Sequence, residues 1–456
     1  MPRITVIMPS LNVAKYIKPC MDSVLGQSLS DLEILAIDAG SDDGTLEILE
    51  DYAASDRRVK VLHSDRRSYG YQLNMGIAMA QGEYIGIVET DDMILPKAYE
   101  ALYHKAVETD AEYVKGQALY FMELPNGAEW EQPTGMQLPD TGMLGKVIAP
   151  RNMPELLNRD IYLWTGIYKK EFVSKIHLNE TPGAAFQDQG FLFQTISSAD
   201  RAVYLNEVVY RYRQDNENSS IMNQNGFHYL VEEYSYIENF LPDKTKEWKN
   251  IYYQRMWNQC LGRFRTMAAF GVFWDNALPD MEIIQSRLKR AEKDGLLFFS
   301  DMESGKKQLL QIFYKGARDL YLYYTDEFEQ KAKQAADIVQ QTAGHPVIIF
   351  GCGRIGRYAH ALFERKQPNL AIAFCDNNPC FWNTELQKIP VLKPQETLDR
   401  YPEAVYVVAN SANGEEIRQQ LISSGIMRER IYTFAIEINI LVLQHERVRE
   451  KRNAQI

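Results

Sequence analysis

Short apolar segments alternate with helix-patterned ones through residues 4–88, and this alternation constrains the fold more than any single motif. Ile4-Thr5-Val6-Ile7-Met8, Leu32-Glu33-Ile34-Leu35-Ala36-Ile37-Asp38, Val59-Lys60-Val61-Leu62 and Tyr84-Ile85-Gly86-Ile87-Val88 read as strands. Residues 14–27, 45–54 and 71–80 carry helical spacing between them. Strands separated by helices at this pitch predict an α/β fold, a mostly parallel sheet with helices on its faces. Ligands of such sheets bind beyond the carboxyl ends of the strands. Pro9-Ser10-Leu11-Asn12, the run from Asp38 to Gly44, and Glu89-Thr90-Asp91-Asp92 all fall at such ends. Polar segments from distant positions are therefore expected to converge on one edge.

The last of these puts three carboxylates at one strand end. Like charges packed so closely repel and shift one another's pKa. A divalent cation with oxygen ligands, shared with the phosphates of a substrate, is one reason to keep them. A solvated turn capping the next helix, with Pro96 nearby, is the other.

A chain of 456 residues exceeds one typical core, so two or three domains are expected. Apolar residues at 45% and charged residues at 24% describe a soluble globular protein. A formal net charge of -11 argues against a general nucleic-acid binder, which needs a basic surface. Five scattered cysteines lack zinc-ligand spacing and fit a reducing compartment. With a first strand beginning at Ile4 and no long apolar run, neither a signal peptide nor a membrane span is expected. The expected location is the cytoplasm, or the inner face of a membrane.

Several motifs in order carry a resemblance: Met8-Pro9-Ser10-Leu11-Asn12, Ser23 to Ser28, Ile37-Asp38-Ala39-Gly40-Ser41 with Gly44-Thr45, and Asn74-Met75-Gly76 before Gly82-Glu83-Tyr84. Together they resemble the family-two inverting glycosyltransferases of the GT-A fold, from the N-terminus to about Ser220. The resemblance implies a nucleotide-sugar donor, most often carrying UDP. Pro9, Asn12 and Asp38 match positions that hold base and ribose; Ala39 stands where a second aspartate is usual. Glu89-Thr90-Asp91-Asp92 matches the family's Asp-x-Asp-Asp, with Asp91 toward the ribose and Asp92 on a Mn2+ or Mg2+ ion. Arg66, Tyr69 and Asn74 lie where relatives line the donor pocket, though Arg66 and Arg67 also read as surface charges.

The family places its base in a Glu-Asp pair followed by aromatic residues. Gln187-Asp188 matches, which makes Asp188 the expected general base; capping a helix from Gln189 is a compatible role. Trp164 falls where relatives carry an aromatic near the acceptor, and equally suits a core. Tyr210-Arg211-Tyr212-Arg213 with Asn218-Ser219-Ser220 resembles a closing segment over the diphosphate. Arg213 is the candidate donor contact, a salt-bridged strand end the alternative.

The expected domains are 1–222, a helical region 223–343, a Rossmann-like domain 344–436 and a helical tail 437–456. The aromatic stripes of the helical region read as core, with a surface for a lipid-linked acceptor or a second copy of the chain left open. In the third, a strand runs into Gly351-Cys352-Gly353-Arg354-Ile355-Gly356, then a helix, then a strand ending at Asp376. That context suits a dinucleotide fingerprint, so Gly351, Gly353, Gly356 and Asp376 are a candidate second nucleotide site, for NAD or another nucleotide. No hydride-transfer group follows, and a structural, binding or assembly role is the favoured reading.

The expectation is thus an inverting, metal-dependent glycosyltransferase moving a sugar to a glycan or lipid-linked acceptor in surface polysaccharide synthesis. An NAD-dependent sugar-nucleotide oxidoreductase or epimerase, and a non-catalytic nucleotide-sugar-binding scaffold, are the alternatives.

Overall fold

A computed structural model describes residues 2–123, 129–135, 137–160, 162–213, 216, 225–298, 300, 302–410 and 413–434. Asn218-Ser219-Ser220 and the expected tail 437–456 lie outside them. The chain forms two compact units. The first takes Met1–Met122, Glu129–Cys260 and Ala277–Lys307; the second takes Leu261–Asn276 and the described residues from Gln308 onward.

The first unit opens with parallel strands β1 (Ile4–Ser10), β2 (Leu32–Asp38), β3 (Val59–His63) and β4 (Tyr84–Ile87). Helices α1 (Ile17–Leu25), α2 (Thr45–Ser55) and α3 (Tyr69–Met79) connect them. Every residue of β1 and β2 is buried. A strand covered on both faces needs a continuous apolar run rather than an alternating one, which is what these segments carry.

Next come β5 (Met93–Ile94), α4 (Ala98–Thr109), β6 (Tyr113–Glu123), β7 (Glu129–Pro133), β8 (Gly166–Lys169), α5 (Lys170–Val173), α6 (Gln187–Ser198) and β9 (Ala202–Arg213). Their strands extend the sheet to the order β3-β2-β1-β4-β8-β6-β9-β5, with β7 on β6. β8 runs antiparallel to β4 and β6, and β5 antiparallel to β9. That pairing brings the end of β9 back beside the acidic turn after β4.

The helical region does not start a new body at residue 223. α7 (Gly226–Glu238), the first part of α8 (Lys246–Phe270) and α9 (Leu278–Lys293) belong to the first unit, and α7 packs on α6 and α9. The reason is apolar cover: Trp248 and Tyr252 of α8 meet Phe193 of α6 edge-on at 5.8 and 6.2 Å.

The second unit holds most of α10 (Ser304–Lys315), then α11 (Ala317–Thr342), β10 (Val347–Phe350), α12 (Arg354–Lys366), β11 (Ala371–Cys375), β12 (Thr384–Leu386) and β13 (Ile389–Leu392). It closes with α13 (Pro394–Arg400), β14 (Val405–Val408), α14 (Gly414–Ser423) and β15 (Ile431–Thr433). Its sheet has the order β12-β13-β11-β10-β14-β15, parallel except for β12. Among the described residues no helix is long and apolar enough to cross a membrane.

Candidate active site

The three polar segments meet as the strand pattern requires. Ser10 and Asp38 stand side by side in the β1–β2 register. The Thr90 hydroxyl donates to the Pro9 carbonyl at 2.9 Å, fastening the acidic turn to the end of β1. Asn12, in the left-handed region at φ 53°, donates its N–H to Ser41 Oγ at 3.0 Å and accepts the Asp42 N–H at 2.9 Å. Asp38 is buried and turned into its own loop. Its Oδ2 accepts the N–H groups of Gly40 and Ser41 at 2.8 and 3.1 Å, and its Oδ1 accepts the Ser41 hydroxyl at 2.5 Å. It therefore shapes the loop around Gly40.

Of the neighbouring arginines, Arg67 reaches this loop, donating to the Gly40 carbonyl at 2.8 Å. Arg66 instead pairs with Glu180 at 2.9 Å over the ring of Tyr71. Asn74 joins the same cluster, donating to Glu180 Oε1 and to the Leu178 carbonyl, both at 2.9 Å. The structure thus sets Arg66 and Asn74 together on Glu180 and puts Arg67, not Arg66, against the 38–41 loop.

The acidic turn divides its carboxylates by environment. Asp92 is 1% exposed; Oδ1 accepts the Arg213 backbone N–H at 2.7 Å and Oδ2 accepts the Tyr210 hydroxyl at 3.0 Å. Tyr210 in turn accepts the Glu89 N–H at 3.0 Å, so β9 is stitched to the turn. Asp91 is half-buried, with Oδ2 held by Asn216 at 2.7 Å. Arg213 Nε donates to the Asp91 carbonyl at 2.8 Å, its guanidinium lying over the rings of Tyr16 and Phe121 at 4.8 and 4.6 Å. Trp164 lies in a short 3-10 turn, buried, stacked on Tyr210 at 4.1 Å and on Tyr162 at 4.6 Å. It backs the tyrosine that holds Asp92.

Glu89 accepts a hydrogen bond from the Tyr69 hydroxyl. Burial pushes its pKa up to about 8; the Tyr69 bond opposes this, while the charges of Asp91 and Asp188 add to it. Burial, then the charge of Asp91, likewise raises Asp92. Carboxylates buried and crowded in this way favour their protonated forms, a preference that a bound cation would reverse. Among the described residues no three His, Cys, Asp or Glu side chains form a metal site by themselves. The oxygen donors of the turn fit Mg2+ or Mn2+ only with further oxygens supplied from outside, as a diphosphate would do.

Asp188 is the second residue of α6, half-buried, and so lies inside the first turn rather than capping the helix. Burial raises its pKa, opposed by the Arg255 charge and by a hydrogen bond from Gln189 at 2.9 Å. Gln187 braces it. Its Oε1 accepts the Gly70 N–H at 2.8 Å while its Nε2 donates to the carbonyls of Asn179 and Thr181 at 2.8 and 3.0 Å. An ionised Glu could only accept, so an amide at this position does what a carboxylate cannot. The brace joins α6 to the start of α3, whose Tyr69 holds Glu89.

Two residues of the helical region complete this support. Arg255 donates to Gln189 Oε1 at 2.6 Å and to the Leu157 carbonyl. Glu233 accepts the Gly190 N–H at 2.7 Å and the Asn179 side-chain amide at 3.1 Å, and burial pushes its pKa up to about 8. Sequence reasoning missed both. The available signal was a cation inside the aromatic run Tyr252-Tyr253-Gln254-Arg255-Met256-Trp257, where a charge on a buried face needs a partner.

A parallel sheet ending in an acidic turn, extended by antiparallel strands that return to that turn, has the GT-A-like architecture. The fold of S. aureus TarS 1-349, solved in complex with UDP-GlcNAc, matches over 72% of this chain and 92% of that one, with a TM-score of 0.52 at 19% identity. Residues 5–159 match Glycosyl transferase family 2. Glycosyltransferase GlyG of Streptococcus pneumoniae is 30% identical over 223 residues, 46% of this chain and 70% of that protein. Chondroitin synthase of Escherichia coli is 35% identical over 99 residues, 22% of this chain and 14% of that protein. The chain belongs to glycosyltransferase family 2, and it is a glycosyltransferase.

Proposed function

We propose that the enzyme transfers a sugar from a UDP-activated donor to an acceptor hydroxyl, with inversion and with help from a divalent cation, in the synthesis of a polysaccharide or related glycan. The observation that carries this reading is electrostatic. A turn whose crowded, buried carboxylates are pushed toward protonation and a further raised carboxylate, Asp188, share one sheet edge, joined through Tyr69, Gly70 and Gln187. The UDP-GlcNAc bound to TarS and the glycan made by chondroitin synthase support the donor and product class.

In this reading Pro9, Asn12 and the loop shaped by Asp38 cradle the nucleoside. The geometry favours Asp91, half-buried, as the carboxylate facing the cation, in place of the expected Asp92. Asp92, buried with both oxygens engaged, holds the end of β9 and with it Arg213 beside the diphosphate. A bound cation would stabilise the charge on the leaving diphosphate as a Lewis acid. Asp188 takes the proton from the acceptor hydroxyl as its oxygen attacks the anomeric carbon. The bond from that carbon to the diphosphate oxygen breaks, and UDP leaves. Trp164 acts from behind Tyr210.

The test is thermal. UDP with Mn2+ should raise the melting temperature of the wild-type chain, by about 2.7 kcal/mol of stabilisation at a hundredfold excess over Kd. Asp91→Ala should lose the cation-dependent part while UDP alone still binds weakly. A response to NAD and none to UDP would sink the reading.

A further inference from the structure

The second unit carries a cavity of about 310 Å³ at the carboxyl ends of its strands. The order β13-β11-β10-β14 means that the chain adds β11 and β13 on one side of β10 and then crosses to place β14 on the other, and such a switch point is where open α/β sheets bind ligands. Gly351 after β10, Asp376 after β11, and Asn413 and Glu416 around the start of α14 all line it.

Its chemistry is wrong for a dinucleotide. The fingerprint glycines serve the backbone first. Gly351 sits at φ 123°, and a Cβ there would come within 2.6 Å of the Ala409 carbonyl oxygen. A Cβ on Gly356 would lie 1.7 Å from the Gly351 carbonyl oxygen. Asp376, where a ribose-binding acid was expected, is folded into the glycine loop. One carboxylate oxygen accepts the Cys352 N–H at 2.7 Å, the other the Asn378 N–H at 2.8 Å. That carboxylate takes an amide a pyrophosphate would need and would repel the pyrophosphate itself. Glu416 adds a second negative charge, and no Lys, Arg or His is among the described residues that line the cavity. NAD is not supported at this site.

Beside the apolar Phe350 and Ile417, what remains is a set of neutral amides and two carboxylates. Asn377 and Gln420 exchange amide hydrogen bonds at 2.8 and 3.0 Å, tying the loop after β11 to α14 and fixing one side of the cavity. Side-chain amides offer a donor and an acceptor together, and carboxylates accept from neighbouring hydroxyls. The volume lies at the small end of the range of about 300–1,000 Å³ for ligand pockets, enough for one ring and its substituents. We propose that this cavity binds a neutral polyhydroxylated ring, a single sugar unit, either free or at the end of a glycan. The inference rests on the second unit alone and stands whether or not the donor assignment holds.

The experiment is saturation-transfer NMR on the full chain with glucose, galactose, N-acetylglucosamine and maltotriose, and separately with NAD and inorganic pyrophosphate. At least one carbohydrate should bind. Its affinity should fall tenfold or more in Glu416→Ala and Asn413→Ala, both at exposed positions, and persist in Asp91→Ala. Stronger binding by the trisaccharide than by every free sugar would assign the site to a glycan end; the reverse would assign it to a free sugar. Carbohydrate binding that ignores both substitutions would overturn the proposal. So would its absence, or NAD or pyrophosphate binding that both substitutions abolish.

Discussion

Both sheets of this chain end parallel strands in acidic turns, and the two turns surround their carboxylates differently. After β4, Glu89 and Asp92 are pushed toward protonation by burial and then by the charge of Asp91. After β11, Asp376 is settled by two backbone N–H groups, which is how a carboxylate becomes part of a loop. The difference separates chemistry from construction. Two turns with similar placement in the sequence differ in whether their charge is already answered by the fold.

The sharpest way to break the comparison is at the base. Asp188→Asn should lower kcat by about 10²–10⁴-fold, the usual contribution of general-base catalysis, with donor binding intact by thermal shift. Full activity in that variant would remove the first edge's claim to chemistry. In the second unit the largest effect should come from packing. Gly356→Ala forces a Cβ to 1.7 Å from a carbonyl oxygen and should destabilise that unit by about 4 kcal/mol, whereas Gly353→Ala, whose Cβ meets open space, should change stability by no more than ~0.5 kcal/mol. Chemical denaturation of the two variants side by side measures both.

A smaller effect should follow from Arg255→Leu. Loss of its charge removes what holds the Asp188 pKa down. The acid limb of the pH–rate profile should move to higher pH, with activity lost first on its acid side. Arg255→Lys should restore part of the limb's position, which a merely structural role would not predict.

The smallest effect concerns stability and pH. The Glu89 and Glu233 pKa values, both raised to about 8 in the fold, mean that the folded state holds protons the unfolded chain has released. Their stabilisation is complete below the ordinary carboxylate pKa, near 4.3, and is lost as pH rises through about 8. The ligand-free enzyme should therefore melt lower at pH 9 than at pH 6, and Glu89→Gln should flatten the slope, leaving the share owed to Glu233. UDP with Mn2+ should flatten it as well if the cation answers the charge of the turn.

The strand-and-helix rhythm of residues 4–88 made the first sheet legible, because doubly covered strands must be written as apolar runs. The place of the acidic turn beside the end of β1 followed from the same rhythm. The domain boundary at 222 was not, since an aromatic helix reads the same whether it covers its own core or a neighbour's. Gln187 looked like a loss beside the usual Glu, and only its four partners explain an amide there. Arg66 and Arg67 are adjacent in sequence, and nothing in their composition says which one turns toward Gly40. The glycine motif was read correctly as strand, turn and helix, but whether its amides were free for a ligand depends on where Asp376 points.

Trp164 lies face to face with Tyr210 at 4.1 Å, and the Tyr210 hydroxyl touches both ends of the acidic turn. An indole so placed reports optically on the charge beside it. Filling the donor site should alter the emission of this tryptophan with no label attached, and stopped-flow fluorescence could then time donor arrival and UDP departure within a single turnover.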